Sequence, residues 1–321
     1  MTHTITRLPI LIINAHSRCN CRCTMCDIWK TTSSDDFSLA QLEALLPDLD
    51  RLGTRWVVFS GGEPLMHTDL FPLARKLRDR GIQVTVLSTG LLLERFAREI
   101  AENVDDVIVS IDGPEAIHDR IRRTPGCFRA IECGIRAIRG DRPDFIVRAR
   151  STVQQANHDC IAETITATRE IGITSLSFLA ADVTSNAFGR DLIWPTNRQY
   201  EVQLNAGQIA ALDGQIERLI ASNDGFVTDS PRHLRRIVSH FRAQLGMEPF
   251  EAPRCNAPWV SAVLEPNGDL RPCFFHPIVG SAEHGLEATL NSPGSSVFRG
   301  NLDIATNPTC KRCVCSLHLQ A

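Results

Sequence analysis

The chain has 321 residues, 43% hydrophobic and 22% charged, with a formal net charge of −3. This composition fits a globular protein with room for one large domain and a smaller one. Because no basic stretch dominates, nothing indicates a nucleic-acid partner. No apolar run is long enough to span a bilayer, and the first residues lack a signal-peptide pattern, so we expect a cytoplasmic protein.

Predicted strands and helices alternate over the first 225 residues. Short apolar runs predict strands, and amphipathic segments between them predict helices. The strand runs are 11–13, 56–59, 84–87, 107–109, 145–147 and 176–179. The first helix should begin at a capping box of Ser38 and Gln41 and end at Gly53, with its second half in doubt at Pro47. A strand followed each time by a crossover helix implies a parallel sheet. Six units are too few for a closed eight-unit barrel, so an open partial barrel or a doubly wound sheet both fit.

The remaining third of the chain has a different character. Residues 181–200 predict a long loop over the C-terminal edge of the sheet, followed by helices near 206–222 and 231–245. Two apolar runs, 260–264 and 270–274, flank Asn267-Gly268. An Asn-Gly pair between such runs is typical of a β-hairpin turn.

The twelve cysteines form two dense groups at opposite ends of the chain. Four lie between residues 19 and 26 and five lie from 255 onward. In a cytoplasmic chain such groups indicate metal binding or redox chemistry rather than disulfides. We therefore expect two metal sites. The scattered Cys127, Cys133 and Cys160 lie on predicted helices, where a small buried side chain is the usual role.

The first group contains Cys-x3-Cys-x2-Cys, formed by Cys19, Cys23 and Cys26 just after the first strand. Three thiolates can hold three irons of a [4Fe–4S] cluster and leave the fourth iron open to a small chelating molecule. A zinc site is the alternative, with Cys21 or His16 as the fourth ligand.

This motif resembles the signature of the radical S-adenosylmethionine (SAM) superfamily. The resemblance implies that Cys19, Cys23 and Cys26 hold the cluster and that SAM chelates the open iron. It further implies that SAM is cleaved to methionine and a 5′-deoxyadenosyl radical, which takes a hydrogen atom from the substrate. Cys21 is then assigned to packing, and Met25 departs from the aromatic residue common before the third cysteine.

Further motifs at the predicted strand ends strengthen the resemblance. The second strand ends in Gly61-Gly62-Glu63-Pro64, which is similar to the family motif that contacts the SAM amino group. The resemblance implies that the residues that contact SAM are Gly61, Gly62, Glu63, Pro64, Ser88, Thr89, Ser110, Asp112 and Arg150. Asp112 could instead cap the next helix, and Arg150 could instead form a surface salt bridge. A solvated helix face explains His118-Asp119-Arg120 as well as a catalytic role does. No residue is therefore assigned as catalytic.

The second cysteine group resembles the opening of the SPASM domain, in the shortened form called a twitch domain. The ligands that this resemblance implies for one auxiliary [4Fe–4S] cluster are Cys255, Cys273, Cys310 and Cys313. Cys315 is spare, and a four-cysteine zinc site is again the alternative. The expected fold is a partial (β/α)6 TIM-like barrel with a small C-terminal α+β Fe–S domain. The predicted domain organisation is a radical SAM core of residues 1–225, a helical bridge of residues 226–254 and an auxiliary cluster domain of residues 255–321.

The favoured function is hydrogen abstraction from a small-molecule substrate in a two-electron oxidation, with the auxiliary cluster accepting the second electron. An external electron donor such as flavodoxin or ferredoxin is the expected partner. The alternatives are redox-neutral epimerisation, carbon–carbon bond formation, peptide or protein modification, and a non-enzymatic zinc-binding module. Peptide modification is less favoured because the first strand begins near residue 10, which leaves no room for an N-terminal peptide-recognition domain.

Overall fold

The structure is a computed structural model that describes residues 4–320. Its nine strands in this range are β1 Ile10–His16, β2 Trp56–Gly61, β3 Gln83–Ser88, β4 Asp106–Ser110, β5 Ile146–Val153, β6 Ser175–Ala180, β7 Ser261–Leu264, β8 Asp269–Arg271 and β9 Gly280–Ser281. All nine belong to one sheet, in the order β6-β5-β4-β3-β2-β1-β7-β8-β9.

The first six strands form the parallel sheet that the alternating pattern predicts. Each pairs with its sequence neighbour in parallel register, for example Ile10 with Trp56 and Val57 with Val84. The sheet is open, since β6 and β1 do not pair with each other. The predicted partial barrel is therefore confirmed, and all six strand ends open on the same side, where parallel α/β sheets place their sites.

Helices cover the outside of this sheet. They are α1 Leu39–Arg51, α2 Leu70–Arg78, α3 Ala97–Asn103, α4 Glu115–Arg122, α5 Cys127–Asp141, α6 Ile161–Glu170, α7 Thr196–Gln199, α8 Ala206–Ser222, α9 Pro231–Gln244, α10 Ala257–Val260, α11 Leu286–Leu290, α12 Pro293–Asn301 and α13 Pro308–Arg312. The capping box at Ser38 and Gln41 is formed, and α1 continues through Pro47 to Arg51. α3 begins only at Ala97, because residues 91–96 form successive turns. Within residues 4–320, no helix combines the length and apolarity of a membrane span.

The predicted C-terminal hairpin is formed by β7 and β8, which are antiparallel around Pro266-Asn267-Gly268. Gly268 has a φ of +87°, which a side chain would disfavour. β7 also pairs in parallel with β1, Ile10 opposite Ser261 and Ile13 opposite Leu264. The core sheet thus continues without a break into the region of the second cysteine group.

Candidate active site

A cavity of about 210 Å³ lies at the C-terminal ends of the parallel strands. The predicted site residues that line it are Cys19, Cys23, Cys26, Gly61, Gly62, Ser88, Thr89, Ser110 and Arg150. Residues from five strand ends and from the first cysteine loop therefore meet at one place, as the motifs predict.

The three cysteines lie on a loop that is held against the end of α4. The backbone N–H of Arg22 donates to the carbonyl of Arg122 at 3.2 Å, and that of Thr24 donates to Ile121 at 3.0 Å. Burial raises the pKa of Cys26 to about 12 and also raises the pKa of Cys19, and a hydrogen bond with Cys21, followed by burial, raises the pKa of Cys23. Cluster assembly must therefore displace protons from these thiols.

Gly61 and Gly62 allow the end of β2 to lie directly against the segment before the first cysteine. A Cβ on Gly62 would stand 2.0 Å from the Arg18 carbonyl oxygen, and one on Gly61 would stand 2.6 Å from that of His16. The N–H groups of Gly62 and Glu63 donate to these same two carbonyls at 2.9 and 2.8 Å. Only glycine fits here, and the bare backbone faces the cavity.

Glu63 lies beneath the cavity surface and is not among its lining residues. Its carboxylate accepts hydrogen bonds from Thr89 N at 2.6 Å, Thr89 Oγ1 at 2.7 Å, Ser88 Oγ at 2.9 Å and Leu65 N at 3.0 Å. Burial raises the pKa of Glu63, and these hydrogen bonds oppose the rise. The neighbouring Pro64 is likewise buried outside the cavity lining. In this structure Glu63 orients Ser88 and Thr89, the two residues that do reach the cavity.

Asp112 does not cap α4, so the structure corrects that interpretation, and Asp112 is not among the residues that line the cavity. Its buried carboxylate accepts from Thr152 N at 2.8 Å and pairs with Arg122 Nη2 at 2.6 Å. Arg122 in turn donates from Nη1 to Cys23 Sγ at 3.4 Å and lines the cavity. Burial disfavours the charged guanidinium, but the negative charges of Asp112 and of the nearby cysteine thiols together outweigh it and raise the pKa of Arg122.

The chain Asp112–Arg122–Cys23 is a functional feature that the sequence interpretation missed. The available signal was helical spacing, since Arg122 follows His118 by four positions on α4 and both are buried. The neighbouring residues have structural roles. The Asp112 N–H donates to His118 Nδ1 at 3.1 Å, and burial lowers the pKa of His118. Asp119 accepts from Gly126 N and Phe128 N at the start of α5. Because His118 is buried, the interpretation of this residue as part of a solvated helix face is wrong.

Residues 181–195, here called the cover loop, lie over the cysteine loop, whereas the predicted loop of residues 181–200 ends earlier because α7 begins at Thr196. Arg190 anchors them. It is fully buried, pairs with Asp182 at 2.8 Å, donates to the Met25 carbonyl at 2.9 Å and stacks on Trp194 at 3.9 Å. Trp194 Nε1 donates to Asp27 Oδ2 at 2.6 Å. The cover loop is thus tied to the residues on both sides of Cys26.

Phe188, in the cover loop, touches both cysteine regions. Its carbonyl accepts from Asp27 N at 2.9 Å, and its ring lines the cavity. The same ring packs on Phe274 at 5.0 Å and Phe275 at 5.9 Å, directly after Cys273. Its φ of +61° is unusual for a residue with a side chain, so the surrounding contacts must hold it there.

The second cysteine group also comes together. Electrostatic interactions link the thiol of Cys273 to Cys255 and Cys315, and that of Cys310 to Cys273 and Cys255. Cys313 Sγ lies 3.5 Å from the Cys315 carbonyl. Burial raises the pKa of Cys273 to about 11 and that of Cys310 to about 12. The thiols of Cys255, Cys273 and Cys310 are therefore within electrostatic range of one another, and Cys313 is within range of Cys273.

Two further residues join this group. His276 Nε2 lies 3.3 Å from Cys310 Sγ, so the histidine that follows Cys273 by three positions contacts a predicted ligand. A hydrogen bond with Cys313, and then the cationic Arg150 and Arg236, lower the pKa of Cys315 to about 7. Arg150 lines the cavity, so the second cysteine group lies within electrostatic range of a cavity residue, although none of its cysteines is among the lining residues.

Several weighed residues lie elsewhere. Cys21 is buried against Cys127, in agreement with its assignment to packing. Tyr200 is 62% exposed and is not among the cavity residues. The salt bridge considered for Arg150 is not formed with any described residue, and its Nε donates to Ser177 Oγ at 3.4 Å.

Comparison with known proteins agrees with this geometry. Residues 13–179 match the model of the Radical SAM superfamily, and residues 255–314 match an iron–sulfur cluster-binding domain, SPASM. The AdoMet-dependent heme synthase of Methanosarcina barkeri is 33% identical over 52% of this chain and 49% of its own length. The subtilosin biosynthesis protein AlbA of Bacillus subtilis is 25% identical over 86% of this chain and 58% of its own length. The chain spans about half the length of the curated relatives it matches.

Solved structures share the fold at low identity. SuiB of Streptococcus suis bound to S-adenosylmethionine has a TM-score of 0.67 at 14% identity and covers 98% of this chain and 74% of that one. The anSMEcpe protein with bound AdoMet has a TM-score of 0.65 at 17% identity, over 95% of this chain and 86% of that one.

The donor sets fit the cofactors that these domains imply, SAM and [4Fe–4S] clusters. Three thiols and the bare backbone of Gly61-Gly62 share one cavity, and thiols of the second group interact electrostatically with one another. The match to two iron–sulfur domains replaces the zinc alternative at both sites. The superfamily match covers just over half of the chain, and the chain belongs to the radical SAM superfamily.

Proposed function

We propose that this enzyme performs a two-electron oxidation of a small molecule by radical SAM chemistry. The observation that carries the proposal is that the second cysteine group lies within electrostatic range of the cavity: Arg150, which lines the cavity together with Cys19, Cys23 and Cys26, lowers the pKa of Cys315. An electron acceptor beside the substrate is what an oxidation requires after hydrogen abstraction, since the substrate radical must lose a second electron.

The proposed ligand sets follow from the placement of the thiols. Cys19, Cys23 and Cys26 would hold the SAM-binding cluster, and the auxiliary cluster would be held by Cys255, Cys273, Cys310 and Cys313. When bound, the first cluster and SAM supply a radical that removes a hydrogen atom. The residues proposed to contact SAM are Gly61, Gly62, Ser88, Thr89, Ser110 and Arg150, and Glu63 positions Ser88 and Thr89 from below. Pro64 and Asp112 are also proposed to act near SAM, although neither lines the cavity.

The enclosure of the cavity supports a compact substrate. The cover loop closes one side through Phe188 and the buried Arg190, and Arg122 closes another. Of the charged side chains that line the cavity, Arg122 and Asp182 are paired with Asp112 and Arg190, whereas Arg150 has no ion pair with a described residue. Radical chemistry needs such an enclosure, because a closed site keeps water and side reactions away from a reactive intermediate.

Peptide modification is a second candidate, because similarity to AlbA, a bacteriocin biosynthesis protein, extends over 86% of this chain. SuiB bound to its precursor peptide SuiA also shares the fold, with a TM-score of 0.66. Under this alternative, the peptide would enter the cavity from the open side of the sheet.

The first test is cofactor content. After anaerobic reconstitution, we expect about eight irons and eight sulfides per chain, falling to about four in the Cys19→Ala/Cys23→Ala/Cys26→Ala variant. Zinc without iron in the wild type would contradict the proposal.

The second test concerns the reaction. Small molecules and peptides encoded or produced by neighbouring genes would be incubated with the enzyme, SAM and dithionite. An oxidation should give one 5′-deoxyadenosine per product and no solvent deuterium in the product. Deuterium incorporation would indicate epimerisation, and a peptide product would establish the second candidate instead. A Cys310→Ala variant should still form 5′-deoxyadenosine but little product.

A further inference from the structure

Arg236, on α9, contacts the chain at the second cysteine group. Its Nη1 donates to the Cys313 carbonyl at 2.8 Å, and its Nη2 donates to the carbonyls of Val314 and Cys315 at 3.0 and 3.4 Å. A single guanidinium thus binds three consecutive residues, the first of which is a predicted ligand of the auxiliary cluster. The contact places a positive charge directly against the last part of this ligand set.

The charge of Arg236 is not neutralised by a paired carboxylate. Within residues 4–320 its side chain forms no ion pair, and its hydrogen bonds go to neutral carbonyl groups. Glu251 lies within electrostatic range, but it pairs with Arg232 at 3.1 Å. Burial lowers the pKa of Arg236, because water is partly excluded from the guanidinium. A cation in such surroundings interacts more strongly with nearby charges than a cation in bulk water does.

The influence of Arg236 falls on the second cysteine group and not on the cavity. Electrostatic interactions join its guanidinium to the thiols of Cys313, Cys315 and Cys255. Arg236 is not among the residues that line the cavity. A change of this side chain therefore alters the charge around the auxiliary ligands and leaves the residues proposed to contact SAM as they are.

We infer that the positive charge of Arg236 raises the reduction potential of the auxiliary cluster and so makes this cluster a better electron acceptor. The inference rests on the proposed function, in which the substrate radical gives one electron to this cluster and one proton to water. A [4Fe–4S] cluster with four thiolate ligands is anionic, and its net charge and surroundings set its potential. Because the added electron makes the cluster more negative, an unpaired cation stabilises the reduced form more than the oxidised form. Arg236 acts through the cluster and does not touch the substrate.

The experiment measures the auxiliary cluster alone, in the full chain carrying Cys19→Ala/Cys23→Ala/Cys26→Ala. This parent protein should hold about four irons per chain after anaerobic reconstitution. A redox titration followed by electron paramagnetic resonance gives the ratio of reduced to oxidised cluster at a fixed applied potential. When Arg236→Gln is added to the parent, this ratio should fall about tenfold, which corresponds to about 59 mV for a one-electron couple.

Two further variants of the parent separate the charge of Arg236 from its structural contacts. Arg236→Lys keeps the positive charge but cannot donate in the same forked geometry, and its ratio should stay close to that of the parent. The matched control is Arg235→Gln, on the same helix. Arg235 is exposed and pairs with Glu217 at 2.7 Å, so its removal should change the ratio less than twofold.

Three results would overturn the inference. They are an unchanged ratio in Arg236→Gln, an equal fall in Arg236→Lys or in Arg235→Gln, and loss of iron from the Arg236 variants, which would assign the side chain a purely structural role. Absence of iron from the parent would contradict the proposed auxiliary ligands and this inference together. A wild-type product that is not oxidised would contradict the proposed oxidation alone, so the two failures are distinguishable.

Discussion

At the scale of single residues, Gly62 and Arg122 shape the site although neither is a predicted cluster ligand. Gly62 matters because it has no Cβ, and the Arg18 carbonyl occupies the space that a Cβ would need. Arg122 contributes a charge that is held in a buried position by Asp112 and directed at Cys23. Both residues act on the cysteine loop from outside the ligand set.

The variant Gly62→Ala should disrupt the first cluster site. Its Cβ would stand 2.0 Å from backbone, which cannot move without shifting Cys19. We expect loss of about four irons per chain and of SAM binding, measured by iron analysis and equilibrium dialysis. The control is Gly140→Ala on α5, where no atom lies within 4 Å of the added Cβ. It should retain full iron and gain up to about 1 kcal/mol of stability. Normal iron loading in Gly62→Ala would contradict the packing described here.

The buried Asp112–Arg122 pair predicts strongly non-additive variants. Removing either partner leaves the other charge buried and unpaired, which typically costs about 3 to 5 kcal/mol. Arg122→Gln and Asp112→Asn should each lower the free energy of unfolding by that order. The double variant should lose much less than the sum, as denaturant unfolding of the cluster-free protein would show. Additive losses would mean that the two side chains do not interact.

At the scale of elements, the cover loop depends on one side chain. Arg190 forms the ion pair with Asp182 and also donates to the Ser185, Asp182 and Met25 carbonyls. A 15-residue connection without regular structure would otherwise have little to hold it over the cavity.

The variant Arg190→Gln should therefore free the cover loop. We expect faster cleavage by proteases between residues 186 and 193 and about tenfold weaker SAM binding, because Phe188 would no longer be held at the cavity. Asp191→Asn alters an exposed residue of the same loop and should change neither property. Protection equal to wild type in Arg190→Gln would show that other contacts suffice.

The elements also show how far the sequence could predict the structure. The six strands of the core and the capping box of α1 follow from local patterns, which is why they were predictable. The length of α1 was not predictable from the sequence because Pro47 removes one hydrogen bond of the helix. Local rules do not decide whether packing compensates for that loss. The pairing of β7 with β1 brings together segments some 250 residues apart, and no local signal encodes it. The capping interpretation of Asp112 was wrong because the partner of this carboxylate, Arg122, is set by the path of α4.

At the scale of the whole molecule, His240 links stability to pH. Burial, with a smaller contribution from Arg236, lowers its pKa to about 4, although Asp182 acts in the opposite direction. The unfolded chain, with an ordinary histidine pKa of about 6.5, binds more protons between these two values. The contribution of His240 to the free energy of unfolding is therefore fully present above pH 6.5 and is lost as the pH drops toward 4.

This linkage predicts a loss of about 2 kcal/mol between pH 7.5 and pH 5, measured by denaturant unfolding of the cluster-free protein. His240→Gln should flatten that part of the pH profile. His284→Gln, at an exposed histidine, should leave the slope unchanged. An unaltered slope in His240→Gln would assign the acid sensitivity to other groups.

The parallel pairing of β1 with β7 has a consequence for any attempt to divide the protein. β1 is buried along nearly its whole length, and β7 covers the side that faces away from β2. A fragment that ends before residue 255 would expose a long apolar edge strand with unpaired N–H and C=O groups. Such an edge recruits other chains, so we expect the fragment to aggregate, as light scattering would detect. The auxiliary region thus also covers the β1 edge and prevents the core sheet from pairing with further chains.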